Sequence, residues 1–307
     1  MNKADKYLKE TITEIIEDGQ WDKNPRTRWA DGTLAHTKFI TQKVYQYDIS
    51  KGEYPINTLR TTALKGGFYD IEAIYIKQTN VIEEMHPSIH SWWKDFVIDE
   101  FWSNNEYGMF LARSIGQTYA DTVKRYDLVN KLLKGLEENP FGRRHSINLN
   151  QEQQKIDDPK ALQPCAFETL WSVREKDNLY NNNELDYKLK RYIDLTLIQR
   201  SQDYITTVSI NPAQYTILAM MVCNHLTFKT GIKHEVGKLL HVVQNVHIYD
   251  RHLDSAKEVL EREPTGLQPK IELICEHKDF YQHTIEDFKF SGLEGIEKLS
   301  NKLEIAI

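Results

Sequence analysis

A chain of 307 residues with 40% apolar and 27% charged side chains buries a core in one large or two ordinary domains, which excludes disordered and fibrous classes. Lys plus Arg number 39 against 45 Asp plus Glu, a net charge of −6, so a sequence-independent grip on nucleic-acid phosphates is excluded unless the basic side chains are strongly segregated. Cys165, Cys223 and Cys275 cannot all pair and lack a metal-knuckle spacing, which predicts free thiols and a cytoplasmic protein.

At the N-terminus Leu8, Ile12, Ile15 and Ile16 recur at helical spacing among charges, predicting a surface helix that stops near Gly19 rather than a signal sequence. No run of apolar residues is long enough to span a membrane. The polar segment Gly19 to Thr37 carries Lys23, Arg26 and Arg28 and an Asp-Gly turn, which suits an exposed, ligand-facing loop. Residues 38–48 alternate as a strand does.

From Tyr119 to Asn139, Val123, Tyr126, Val129, Leu132, Leu133 and Leu136 mark one helical face, ended by Asn139-Pro140. Arg143 and Arg144 are expected to begin a short strand, RRHSINL. Strands at 166–173 and from about Leu189 flank a polar stretch with three consecutive asparagines, the chemistry of a hairpin connection. In the second of these strands Ile193, Leu195 and Leu197 share one face. Asn211-Pro212 reads as the N-cap and first position of a buried helix, and a further helix runs from about Asp250 to Glu263. The C-terminal 40 residues read as one strand and an irregular tail. No repeat or linker divides the chain, so residues 1–307 are expected to form a single α+β domain.

Cys165 lies in ALQPCAFETLW at the entrance to a strand. A nucleophilic thiol needs nearby positive charge or a base, and none is adjacent in sequence, so the cation must come from elsewhere in the fold. QRSQD, from Gln199 to Asp203, brings an arginine fork and a hydroxyl to a strand end, a combination suited to phosphate oxygens. Arg143-Arg144 has the same character. His234, His241, His247 and His252 lack the spacing of a helical zinc site, and no glycine fingerprint for a dinucleotide or P-loop is present.

Taken in order, Pro164-Cys165, QRSQD, Asn211 at a helix start, HIYDRH and the Arg-Glu-Pro from Arg262 to Pro264 resemble the thymidylate synthase family. RTRWADGT, NPFGRR, PKIEL, DFYQHTIEDFKF and the final Ala306-Ile307 extend the resemblance from about residue 24 to the last residue, with the flavour of a bacterial and phage branch. The resemblance implies a mixed or antiparallel sheet flanked by helices, a homodimer, dUMP as substrate, and 5,10-methylenetetrahydrofolate as cosubstrate, with no metal, nucleic-acid or membrane partner.

Residue by residue, the resemblance implies that Cys165 is the nucleophile toward the pyrimidine ring and that Arg200 touches both phosphate and thiol. Gln199 and Ser201 join the nucleotide site, with either Arg26 or Arg28 as a further phosphate ligand. Arg143 and Arg144 are expected to reach the partner subunit's phosphate. Asn211 reads the pyrimidine edge, since one amide offers an acceptor to N3–H and a donor to O4. His247 and Tyr249 match ribose contacts, and Asp203 lies between nucleotide and folate. Arg60, Trp92 and the terminal Ile307 fall on the folate side.

Three departures stand out. Asp70 occupies the place of a glutamate that organises water around O4, Ile115 replaces a tyrosine tied to proton removal from carbon 5, with Tyr119 near enough in sequence to compensate, and Thr61 stands where a basic residue would hold folate. These leave two further readings open beside reductive methylation: a dUMP hydroxymethylase, in which water captures the same exocyclic methylene, and a nucleotide-binding pseudoenzyme.

Overall fold

The computed structural model describes residues 1–98, 103–104, 108–109, 113–152, 162–176 and 189–307. Helix α1 (Lys3–Asp18) opens with a capping box between Asn2 and Asp5 and buries Leu8, Ile12 and Ile15. It stops at Gly19, as the sequence predicts. Strands β1 (Gln20–Trp21) and β2 (Thr37–Asp48) pair antiparallel, so the basic loop 22–36 is a connection pinned at both ends by one sheet.

Helix α2 (Leu64–Ile71) runs on into a π-helical stretch, Glu72–Lys77. Helix α3 (His90–Trp93) precedes a small hairpin of β3 (Ser103–Asn104) and β4 (Gly108–Met109). The single helix expected over 119–139 is two, α4 (Ala120–Arg125) and α5 (Leu128–Glu138), because Asp127 turns into the left-handed region at φ 51° and interrupts the ladder. The apolar face survives the break: Val123, Val129, Leu132, Leu133 and Leu136 are all buried.

Strands β5 (Ser146–Asn148), β6 (Ala166–Lys176) and β7 (Lys190–Asp203) form an antiparallel run. The asparagine-rich stretch between β6 and β7 lies outside the described residues. A one-turn helix α6 (Tyr204–Thr207) and the long α7 (Ile210–Thr230) then carry the chain over the sheet to β8 (Lys233–Tyr249), parallel to β7. A parallel neighbour requires such a crossover. Helix α7 buries 15 side chains around nearly its whole circumference, as a helix clamped between a sheet and α2 must. The cap position is Ser209, not Asn211: Ile210 is already helical, which puts Asn211 and Pro212 inside the first turn. Ser209 Oγ instead accepts from Asn57 Nδ2 at 2.8 Å.

The sheet is mixed, in the order β1-β2-β8-β7-β6-β5. One face is core, with Ile193, Leu195 and Leu197 of β7 beside Leu239, His241 and Val243 of β8. After α8 (Leu253–Glu261) the C-terminal region forms two strands rather than one, β9 (Lys270–Leu273) pairing with β10 (Phe288–Ser291). The described residues contain no helix long and apolar enough to cross a membrane.

Candidate active site

The register of β6 on β7 sets Ala166 opposite Gln199, with a bulge between Ala166 and Glu168. Cys165 therefore emerges beside Arg200, whose main-chain N–H donates to the Cys165 carbonyl at 2.8 Å. Arg200 Nε and Nη2 donate to the carbonyls of Pro164 and Gln163 at 3.0 and 2.7 Å. Burial pushes the Cys165 thiol up, while Arg200 and then Arg26 act in the opposite direction. The cation missing from the local sequence is thus supplied by the neighbouring strand and by the 22–36 loop.

That electrostatic pairing separates the two loop arginines. Arg26 acts on both Cys165 and Tyr249, whereas Arg28 turns back on its own loop and donates to the Gly32 carbonyl at 2.9 Å. The backbone of Arg28 forms a two-way pair with the last residue: Arg28 N–H donates to Ile307 O at 2.6 Å and Ile307 N–H to Arg28 O at 2.9 Å. Arg251 ties the same loop to the same tail, bridging Asp31 at 2.6 Å and Glu304 at 3.1 Å, with its guanidinium 4.8 Å from the Trp29 ring centroid.

On the other side of the thiol, the Cys165 N–H donates to the hydroxyl of buried Tyr119 at 3.1 Å. The Tyr119 ring meets Trp93 edge-on at 5.4 Å, and Trp93 Nε1 donates to Asp70 Oδ1 at 2.8 Å. Gln214 Nε2 donates to the other Asp70 oxygen at 2.8 Å, and Asn211 Nδ2 donates to Gln214 Oε1 at 3.2 Å. Gln199 Nε2 closes the circuit to Asn211 Oδ1 at 3.3 Å. Desolvation raises the Asp70 carboxyl to about 6, against the two hydrogen bonds that favour its charge.

At the far end of the parallel pair, Asp203 stands opposite His247. Asp203 caps α6 by accepting from Thr206 N–H at 3.4 Å. His247 Nδ1 lies 3.0 Å from Asn245 Oδ1 and its ring meets Tyr249 edge-on at 5.2 Å. Ser201 pairs with Asn245 across the ladder, so Arg200, Ser201, Asp203, His247 and Tyr249 occupy one end of the two central strands. Arg60 is buried nearby. Its guanidinium donates to the Ile205 carbonyl, and desolvation lowers it to about 10 while Asp203 pulls the other way.

Trp92 and Trp93 part company. Trp92 lies over α2, where a Cβ on Gly66 would come 2.9 Å from its ring, so that glycine makes room for the indole. Trp93 is the one that reaches Asp70. Arg143 and Arg144 are exposed on the approach to β5, with no partner among the described residues. Trp93 and Gln214 are not among the residues the sequence singles out, and His241 enters there only as one of four histidines without zinc spacing. Gln214 lies three positions after Asn211, hence on the same helix face, and His241 lies six before His247 on one strand; both spacings were readable.

Among the described residues, Cys275, His283 and Asp287 bring their donor atoms within 4.8 Å of one another. Asp287 Oδ2 already receives the Lys278 ammonium at 2.6 Å and the Thr284 N–H at 2.8 Å. The group is an ion-pair and capping cluster of the β9–β10 connection, and a cation there would compete with Lys278.

A family model described as Thymidylate synthase matches residues 5–305. The chain is 37% identical over 310 residues to a protein named thymidylate synthase from Streptococcus thermophilus strain LMD-9, with 100% of both chains covered. It is 36% identical over 310 residues to one of the same name from Streptococcus pneumoniae strain 70585, again with 100% of both covered. Among solved structures it is similar to the thermostable thymidylate synthase A from Bacillus subtilis, at TM-score 0.76 and 27% identity over 99% of each chain.

Proposed function

The chain belongs to the thymidylate synthase family, and from that premise we propose how its own residues carry the conversion of dUMP and 5,10-methylenetetrahydrofolate to dTMP and dihydrofolate. The enzyme is a one-carbon transferase with the folate as cosubstrate. The relatives named for this activity run the full length of the chain, and nothing in them supports the hydroxymethylase reading.

In this reading Cys165 forms a bond to carbon 6 of the uracil ring and the ring electrons move to carbon 5, which attacks the methylene carbon. Loss of the proton at carbon 5 and departure of the folate nitrogen leave an exocyclic methylene. Hydride from the tetrahydrofolate then reduces it as the thiolate leaves, so that the folate departs as dihydrofolate. Arg200, Arg26 and Ser201 hold the phosphate, Asn211 with Gln199 reads the base, and His247 and Tyr249 take the ribose. Asp70 faces the O4 side, and the Tyr119 hydroxyl supplies the function that Ile115 lacks. Asp203, Arg60 and Trp92 line the folate side, and Ile307 closes with Arg28 over the bound pair to keep water from the methylene.

The observation that carries this reading is the closed circuit of contacts Cys165, Tyr119, Trp93, Asp70, Gln214, Asn211, Gln199 and Arg200: thiol, cation, buried carboxylate and base-reading amide in one connected set. A pseudoenzyme has no use for the first three. The test is incubation with dUMP and 5,10-methylenetetrahydrofolate, following dihydrofolate absorbance and the mass of the nucleotide. A methyl gain with dihydrofolate supports the reading; a hydroxymethyl gain without it, or no product, refutes it.

We further propose that residues 1–307 act as one domain within a homodimer in the cytoplasm. The sheet face opposite the core supports the dimer. Exposed Val44 and Leu170 share it with Val242 and Ile198, an apolar strip across four strands with no covering layer among the described residues. Arg143 and Arg144, without a partner among the described residues, suit the partner's phosphate site.

A further inference from the structure

The circuit around Asn211 has a direction. Asp70 accepts from Trp93 at one oxygen and from Gln214 at the other. An indole N–H can only donate, and an ionised carboxylate can only accept, so the amide of Gln214 must turn Nε2 to Asp70 and Oε1 to Asn211. At the opposite end Gln199 Nε2 donates to the Ser201 carbonyl at 2.8 Å, a backbone oxygen that also can only accept. Gln199 must therefore turn Oε1 to His241, whose Nε2 lies 2.8 Å away and carries the proton. Burial lowers His241 to about 3, so the ring stays neutral with that nitrogen as its donor.

Asn211 sits between the two fixed amides. Nδ2 faces the only acceptor of Gln214 and Oδ1 faces a donor of Gln199, so both ends demand one orientation. Gln199, Gln214 and His241 are 2%, 3% and 1% exposed, whereas Asn211 is half-buried and open on its remaining side. What it presents there is a spare lone pair on Oδ1 and a spare N–H on Nδ2. That pattern matches a pyrimidine with N3–H and O4. Cytosine, with an acceptor at N3 and a donor at position 4, meets two like-with-like contacts, and turning Asn211 to suit it breaks the bonds to both Gln199 and Gln214.

We propose that Gln214 is a specificity-determining positioning residue, which anchors the Asn211 amide to the Asp70 carboxylate and so holds it in the orientation that admits uracil and rejects cytosine. The proposal rests on the reading that Asn211 faces the base. It adds that selection of the base resides in a residue that does not touch it, and that the base-reading amide and the carboxylate on the O4 side form one unit through a single side chain.

The test is the ratio of dUMP to dCMP affinity, measured by calorimetry on the full chain. In Gln214→Leu the anchor is lost and Asn211 is freed to turn, so the ratio falls at least tenfold. Gln214→Ser, too short to span Asp70 and Asn211 but tolerant of water beside the carboxylate, gives the same fall and serves where the leucine variant does not fold. Gln214→Glu, sharing one proton with Asp70 near pH 6, again donates to the carboxylate and accepts from Asn211, so the ratio returns to within about threefold of the parent. Equal loss of affinity for both nucleotides with the ratio unchanged would overturn the proposal, since that is what a purely structural role predicts. A parent chain that fails to discriminate dUMP from dCMP would instead overturn the underlying reading of Asn211.

Discussion

Arg200 grips the thiol segment from the neighbouring strand: its main-chain N–H bonds the Cys165 carbonyl at 2.8 Å while its guanidinium takes the carbonyls of Pro164 and Gln163. One residue thus fixes the backbone around the thiol and supplies positive charge to it. Burial is the larger influence on Cys165 and keeps the thiol protonated more readily than a free cysteine; the arginines offset part of that.

The first prediction concerns the thiol. Its alkylation by iodoacetamide should have a midpoint above the ordinary cysteine value, since desolvation dominates. Removing a cation moves the midpoint further up, because positive charge favours the thiolate. Arg26→Ala is the cleaner probe, as Arg26 clamps no backbone among the described residues, and it should slow alkylation several-fold at pH 8 with the thermal midpoint unchanged. A midpoint that stays put or moves down would contradict the assigned electrostatics.

Asp70 gives a prediction about pH. With its carboxyl raised to about 6, kcat/KM should fall as pH drops below 6, and Asp70→Asn should flatten that limb at a lower plateau. Stability runs the opposite way. A native pKa of about 6 against 3.8 means the folded state binds the proton more tightly, so wild-type stability is lost as pH rises across that window. The loss is roughly 3 kcal/mol at 1.36 kcal/mol per unit. Urea titrations should therefore show Asp70→Asn gaining on the parent between pH 4 and pH 7; a pH-independent difference would refute the raised pKa.

Much of this site was legible in the chain because its residues sit at ends of strongly patterned elements. The alternation Ile193, Leu195, Leu197 fixes which face of β7 is core, and Gln199 follows in the same series; the apolar run after Asn211 fixes α7. What could not be read is who meets whom. The pairing of Cys165 with Arg200 comes from the family resemblance and not from spacing, because it depends on the register of β6 on β7, which a bulge resets. Whether Trp92 or Trp93 reaches Asp70 depends on the orientation of a four-residue helix. The break at Asp127 was hidden because both fragments keep the same apolar face. The misplaced cap has a similar cause: Asn-Pro is a common helix start, but here Ile210 and Ser209 come first and the asparagine side chain is committed to Gln199 and Gln214.

Asn211→Asp should shift preference toward dCMP. A carboxylate there confronts Gln214 Oε1, which offers only an acceptor, so the new carboxyl takes up a proton or turns away. Either way the N–H that paired with O4 is gone and dUMP affinity falls by at least tenfold, while dCMP gains an acceptor for its amino group. Competition binding of the two nucleotides measures this, and an unchanged dUMP preference would remove Asn211 from the base-reading role.

Arg251 joins Asp31 of the loop to Glu304 of the tail across the face of Trp29, so the proposed closure of the tail should depend on it. These groups are solvent-exposed, where ion pairs contribute little to stability. Arg251→Met should leave the thermal midpoint within a degree or two. It should raise KM for the folate several-fold, since the Arg28–Ile307 pair must then form without the latch, and 1 M salt should raise the parent's KM in the same direction. A folate KM that responds to neither change would mean that the tail closes without Arg251.

The shared-site reading of the dimer yields the most direct test. Cys165→Ser removes the nucleophile of its own site, and should abolish both turnover and the covalent adduct with 5-fluoro-dUMP while dUMP still binds. Arg143→Ala/Arg144→Ala should instead damage the partner's phosphate site under that reading, since neither guanidinium has a partner among the described residues of its own chain. Each homodimer is crippled in both sites. In a mixed dimer the two defects fall on the same site: the serine subunit lends intact arginines to the site that still has its thiol, and the other site loses both. Mixing the two variants after mild denaturation and refolding should therefore restore one working site per heterodimer, or about a quarter of wild-type activity for random pairing. If the mixture is no more active than its parts, the arginines serve their own subunit and the proposal that Arg143 and Arg144 cross the interface is wrong.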